Sequence, residues 1–155
     1  MSMNRLEVMF EDYAEHHQTR GNKWCHRFGI PMIVFSLLGL LAKVAPLSDF
    51  GHLNLATVLI LVAGAYYLLL DWRFALAMIA VTSIFYLGAL AVPVTVHASL
   101  FVLGWILQFV GHGVYEKRRP AFFQNLLHLL VGPLWILNDV VHFVPAAGSD
   151  QQPVS

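Results

Sequence analysis

From Phe74 to Tyr115 the chain runs without a single Asp, Glu, Lys or Arg. Phe50 to Leu70, Phe28 to Ala42 and Pro120 to Asn138 are equally free of charge. Apolar runs of about 18 residues or more cannot all be hidden inside so small a domain and read as membrane spans. Composition agrees: 58% of the 155 residues are hydrophobic, 12% are charged and mean hydropathy is +0.66. A soluble domain carries about twice that charge. The fold class this dictates is all-α, a polytopic membrane helical bundle.

The same figures exclude other classes. Low charge and 13% aromatic residues exclude disorder. The single cysteine, Cys25, cannot form a disulfide within the chain and reads as a small buried residue. Zero net charge leaves no footprint for nucleic acid. The first residues are polar and carry acids, unlike a cleaved signal or transit peptide. One integral-membrane domain over residues 1–148 is expected, followed by a polar tail at 149–155.

Asn4 to Gln18 reads as an amphipathic helix, with Leu6, Met9, Phe10, Tyr13 and His17 on one stripe. Thr19 to Asn22 reads as a break, Gly21 ending the first helix and Asn22 capping the next. Spans are expected at about Phe28–Val44, Leu53–Leu70, Phe74–Val92 and Val96–Val110. Phe122 to Val144 either crosses or dips into the bilayer, which makes four to five spans in all. Arg5, Arg20, Lys23 and Arg27 precede the first span, Arg73 follows the second, and Lys117 to Arg119 follow the fourth. The positive-inside rule puts all of these at the cytoplasmic face, with Lys43 snorkelling at the other. Four crossings return the chain to its starting side, so the motifs near His17 and Glu116 share one surface.

Eight histidines are many for a chain this poor in polar groups. Histidine is the commonest metal ligand and a ready acid or base, and ionisable groups at a membrane are functional candidates. His52 and His97 fall at the far face and read as interfacial polar residues, as does His142 if the last segment crosses. His17 shares the apolar stripe of the first helix, whereas the adjacent His16 follows the polar face. A break at Gly21 brings His17 and His26 together. Gln108, His112 and Glu116 are spaced i, i+4, i+8 and stack on one helical face. His112 and Glu116 are candidates to ligate a cation or to form an acid/base pair, although Glu116 could equally pair with nearby basic residues. His128 falls within reach of the same place. Imidazoles with a carboxylate suit Fe(II); an all-nitrogen set would also hold Zn(II).

The segment YAEHHQTRGNKWCHRFGIP from Tyr13 and the segment LQFVGHGVYEKRRPA at 107–121 together carry a resemblance. The pair H-x4-N-x3-H and G-H-x3-E-K-R-x-P-A resembles the 2-hydroxy fatty acid dioxygenase family, typified by a fungal endoplasmic-reticulum enzyme of phytosphingosine degradation. The resemblance spans nearly the whole chain and is looser toward the C-terminus, where LNDV around Asp139 only approximates an acidic position. It implies Fe(II)-dependent, O2-consuming α-oxidation, in which a 2-hydroxy fatty acid loses its carboxyl carbon. The family's pattern falls on His17, His26 and His112 as metal ligands, with Asn22 and Glu116 completing it as catalytic residues. His16 and His128 are further candidates. Arg20, Lys23, Arg27 or Arg118 would neutralise the substrate carboxylate. The expected setting is a bacterial inner membrane rather than the endoplasmic reticulum, with the site facing the cytoplasm and the acyl tail entering from the bilayer.

Two other readings are distinguishable. A non-catalytic membrane metal carrier or assembly protein needs polar residues along a transbilayer path, and the spans are almost bare of them. A di-iron desaturase-like enzyme needs repeated H-x-x-H-H boxes, which are missing.

Overall fold

The computed structural model describes residues 5–44, 53–117 and 127–144. Its regular elements are all helical: α1 (Arg5–Glu15), α2 (Arg20–Val44), α3 (Leu55–Leu68), α4 (Trp72–Leu90), α5 (Val94–Val110) and α6 (His128–Val141). At its C-terminus α5 widens into a π-helical turn, Gly111–Glu116. The tail and the residues around His52 and Arg118 lie outside the described residues.

Three helices are long and apolar enough to cross a membrane: α2, α4, and α5 together with its π-turn. α3 and α6 have 14 residues each, about 21 Å against a hydrocarbon core of about 30 Å. Outward positions on the spans are apolar, with Leu61 and Ile84 each 68% exposed. The polar residues point inward: His26, Asn22, His97 and Gln108 are all buried. Such inverted polarity suits a lipid solvent.

The helices alternate in direction. Asn54 caps α3, accepting from the Ala56 and Thr57 amides, and donates to the Tyr86 hydroxyl at 2.9 Å near the end of α4. Lys43, at the end of α2, donates to the Val92 carbonyl beyond the end of α4. At the other end Asp71 caps α4, accepting from the Arg73 amide at 2.8 Å. α2 and α5 cross where both lack side chains, at Gly29 and Gly104. The start of α2 and the end of α5 therefore share one end of the bundle, as four helices of alternating direction require.

α6 does not traverse the bundle. Near its start the Leu130 carbonyl accepts from the Tyr67 hydroxyl at 2.9 Å, and just past its end Phe143 packs edge-on to Phe74 at 5.2 Å. Tyr67 and Phe74 flank the same α3–α4 turn. α6 thus lies across that end, and with α1 it forms a cap whose core is Leu6, Phe10, Tyr13, Val131 and Leu134. His142 accordingly belongs to this end of the bundle.

Three local expectations are corrected. The break before α2 falls at 16–19, not at Gly21: α2 starts at Arg20, and the Thr19 hydroxyl accepts from the Asn22 amide at 3.4 Å. Gly21 lies in the first turn of α2, where a Cβ would collide with the Tyr115 ring. His97 is at the far end as expected but fully buried, because Gly39 leaves room for its ring and the Ala89 carbonyl accepts from its Nε2 at 3.0 Å. Cys25 is half-buried.

A Cβ at Gly104 would sit 2.7 Å from Ile33 Cγ1 and 3.0 Å from the Gly29 carbonyl oxygen. Gly104→Ala is expected to cost about 1–3 kcal/mol through overpacking, read as a lower unfolding midpoint in micelles. An unchanged midpoint would mean that α2 and α5 do not cross there.

Candidate metal centre

Three imidazoles meet where α1, α2 and the π-turn converge. Ring centroids are 4.3 Å apart for His17–His26 and 4.8 Å for both His17–His112 and His26–His112. All three residues are at most 3% exposed, and one ligand nitrogen from each lies within 4.8 Å of the others. No other group of three histidine, cysteine or carboxylate residues with this geometry occurs among the described residues.

The hydrogen bonds define which nitrogens are bare. His17 Nδ1 is 2.6 Å from the Tyr13 carbonyl oxygen, and His26 Nδ1 is 2.9 Å from the Asn22 carbonyl oxygen. A carbonyl only accepts, so each Nδ1 carries the proton and each neutral ring leaves a lone pair on Nε2. Those two Nε2 atoms face each other at 3.0 Å. Two lone pairs at that distance repel unless a cation lies between the rings and the space beyond them. About 3 Å is also the spacing of two nitrogens bound to one metal at about 2.1 Å. His112 Nδ1 is buried without a hydrogen-bond partner. The donor set therefore fits a divalent transition metal, and carbonyl bonds to the remote nitrogen are the usual way a metal-binding imidazole is oriented.

Burial holds His17 neutral. Desolvation, with the neighbouring His26 ring next in size, pushes its pKa down to about 2, against the opposing hydrogen bond to Tyr13. Tyr13 stacks on it with centroids 4.0 Å apart, and Trp135 packs on Tyr13 at 5.4 Å. The same burial pushes the Tyr13 phenol up.

Glu116 binds the chain rather than facing the imidazoles. Oε1 accepts from the Gln18 amide at 3.0 Å. Oε2 accepts from the Thr19 amide at 3.1 Å, the Thr19 hydroxyl at 2.8 Å and Asn22 Nδ2 at 3.2 Å. The carboxylate sits at the N-terminus of α2, where amides without helical partners and the helix dipole both favour it. It pins the α1–α2 connection to the π-turn. Asn22 is fully buried behind the imidazoles, its carbonyl orienting His26 and its amide also donating to the His16 carbonyl at 3.3 Å. A Cβ at Gly111 would strike Asn22 Oδ1, so glycine there lets the π-turn approach α2.

The remaining candidates are beside the centre. His128 Nε2 pairs with Asp12 at 2.7 Å, and His16 Nδ1 bonds the Asp12 carbonyl at 2.9 Å. Arg27 pairs with Asp139 at 2.8 Å, which gives Asp139 a structural partner. Arg20 is exposed and Lys23 half-buried on the first turn of α2. Sequence reasoning did not single out Tyr13, Trp135 or Thr19 as site residues. Only the apolar stripe of α1 hinted at the first.

A cavity of about 250 Å³ runs from the imidazoles into the bundle. His17, His26, His112 and Gln108 line its polar end, while Leu38, Ile60 and Phe101 line its depth. Along α2 it extends from His26 to Leu38, about 18 Å. Arg20, Lys23 and Arg27 are not among the residues that line it.

A family model described as 2-hydroxy-palmitic acid dioxygenase Mpo1-like matches residues 3–144. The chain is also 33% identical over 130 residues to the 2-hydroxy-palmitic acid dioxygenase MPO1 of Saccharomyces cerevisiae, covering 81% of this chain and 73% of the yeast protein. No solved structure matches.

Glu116→Ala removes four hydrogen bonds at once and is expected to cost on the order of 3 kcal/mol. Amide exchange at Gln18 and Thr19 should rise with it; unchanged protection would separate Glu116 from this loop. For the apo protein, His17 takes up a proton in the unfolded state below about pH 6.5 but in the fold only near pH 2. Its contribution is therefore complete above pH 6.5 and shrinks as pH falls, by about 2 kcal/mol at pH 5. His17→Phe should flatten that part of the stability profile between pH 7 and 5.

Proposed function

The chain belongs to the Mpo1-like 2-hydroxy-palmitic acid dioxygenase family, and on that premise we propose that it is a membrane-embedded, non-haem Fe(II) dioxygenase that shortens 2-hydroxy fatty acids by one carbon. The observation that carries this reading is the pair of bare Nε2 atoms 3.0 Å apart, with His112 beside them, at the polar end of an apolar cavity. His17, His26 and His112 hold the ion. When bound, Fe(II) would supply electrons to O2 and a positive anchor for the substrate's carboxylate. Zn(II) would fit three nitrogens but has no redox chemistry to offer O2.

The chain's own residues do the rest. Asn22 and Glu116 are positioning residues, the first aiming His26 and the second fixing the loop that carries His17. Tyr13 and Trp135 cover the imidazoles and exclude water. The cavity takes the acyl tail, so that only the carboxyl end reaches the imidazoles. Arg20 and Lys23 draw the carboxylate toward this end of the bundle, since neither lines the cavity and Arg27 is engaged by Asp139. The cluster of basic residues at this end of the bundle favours a site on the cytoplasmic side of a bacterial inner membrane.

A cavity long enough for a fatty tail favours an enzyme over a non-catalytic metal-binding or assembly protein, which has no use for one. The test is purification under anaerobic conditions, metal analysis, and O2 uptake with 2-hydroxypalmitate. One iron per chain and a product one carbon shorter are expected. His112→Ala should lose both the iron and at least 100-fold in turnover. Chelation should abolish activity, Fe(II) restore it, and Zn(II) fail to do so. Iron-independent turnover, or bound metal with no O2 uptake, would overturn the reading.

A further inference from the structure

Gln108 lines the cavity on α5, one turn before His112 and about 6 Å further into the bundle. It is 5% exposed, and its Nε2 is buried without a hydrogen-bond partner. A buried amide donor left unmet is costly, so a fold that keeps one has a use for it. The amide lies against Gly29 of α2, one turn beyond His26, where a Cβ would come within 2.5 Å of Nε2. The bare Gly29 backbone is what gives it room. It therefore sits between α2 and α5, just below the His26–His112 pair.

Three other polar side chains of the cavity wall are engaged. Tyr67 donates to the Leu130 carbonyl, Thr82 donates back to the Met78 carbonyl at 2.6 Å, and His128 pairs with Asp12. The rest of the wall is largely apolar, with Leu38, Ile60 and Phe101 along its depth. On the side formed by α2 and α5 the order into the bundle is thus the imidazoles, then one neutral amide, then mostly hydrocarbon. A 2-hydroxy fatty acid has its polar atoms in the same order.

We propose that the Gln108 amide binds the 2-hydroxyl of the substrate and so selects 2-hydroxy acids over unsubstituted fatty acids. This rests on the function proposed above. The carboxylate needs positive charge, which a neutral amide cannot supply and which the imidazole-held ion can. The hydroxyl is the next polar group toward the tail, and its oxygen can accept from Nε2 in a dry site. A pocket that hydrogen-bonds a hydroxyl discriminates strongly against the analogue without one, because its own donor is then left bare.

The experiment is equilibrium binding of 2-hydroxypalmitate and of palmitate to the iron-loaded protein under anaerobic conditions, each by competition with a fluorescent fatty acid. Wild type should prefer the hydroxy acid at least 10-fold. Gln108→Leu and the unbranched Gln108→Met should each bring the two affinities within about 3-fold by weakening the hydroxy acid alone. Both variants should keep one iron per chain and an unfolding midpoint no lower than wild type, because an apolar side chain leaves no orphaned donor. KM for 2-hydroxypalmitate should rise about 10-fold. A preference that survives in either folded variant overturns the assignment, as does a wild type that binds both acids equally. A wild type that binds neither acid overturns the proposed function itself, and this assignment with it.

Discussion

Two carbonyl oxygens set the chemistry of this protein. By accepting from Nδ1 of His17 and of His26, they fix the tautomer of two rings that burial keeps neutral and turn both Nε2 lone pairs inward, 3.0 Å apart. Such a pair is unfavourable without a cation, and burial denies it a proton. The surrounding structure keeps the two rings from turning away. Glu116 ties the loop carrying His17 to the π-turn carrying His112, and Asn22 links that carboxylate to the backbone behind His26. Without these ties the connection between α1 and α2 would have no reason to stay under the imidazoles.

The bilayer accounts for the rest of the design. In lipid the cost falls on exposed polar groups, so the polar residues gather inside and at one end. Close approach of α2 and α5 at Gly29, Gly104 and Gly111 brings the start of one to the end of the other. α1 and α6 then roof that end with Leu6, Phe10, Val131 and Leu134. The space left beneath the roof is apolar along most of its length and polar at one tip. A centre at one end of the bundle with a cavity leading into its apolar interior suits an amphiphile better than either a soluble molecule or an ion in transit.

Much of this was legible before any coordinates. Uncharged runs define a helical membrane bundle, and an even number of traverses brings His17, His26, His112 and Glu116 to one end. The i, i+4, i+8 spacing stacks Gln108, His112 and Glu116 on one helical face, and in the fold Gln108 meets α2 at Gly29 while Glu116 meets Asn22 and the loop before it. The spacing did not reveal that a π-turn divides their tasks, because a wider turn has no signature in the pattern of side chains. Gly21 and Asn22 look like helix punctuation, yet Gly21 is small because Tyr115 packs on it, and Asn22 is polar because Glu116 and His16 meet it. His97 looks interfacial in sequence and is buried, since the space opposite it depends on a glycine 58 positions away.

Membrane residence, helical class and the identity of the converging histidines follow from hydropathy and order along the chain, since both act locally or through simple parity. Tautomers, the engagement of Glu116 and Arg27, the lie of α6 and the unmet amide of Gln108 depend on which atoms stand opposite one another. The tautomers are set by carbonyls four residues away, the other pairings by residues 63 to 112 positions apart, and all are decided by packing at a resolution of an ångström, which no one-dimensional pattern records.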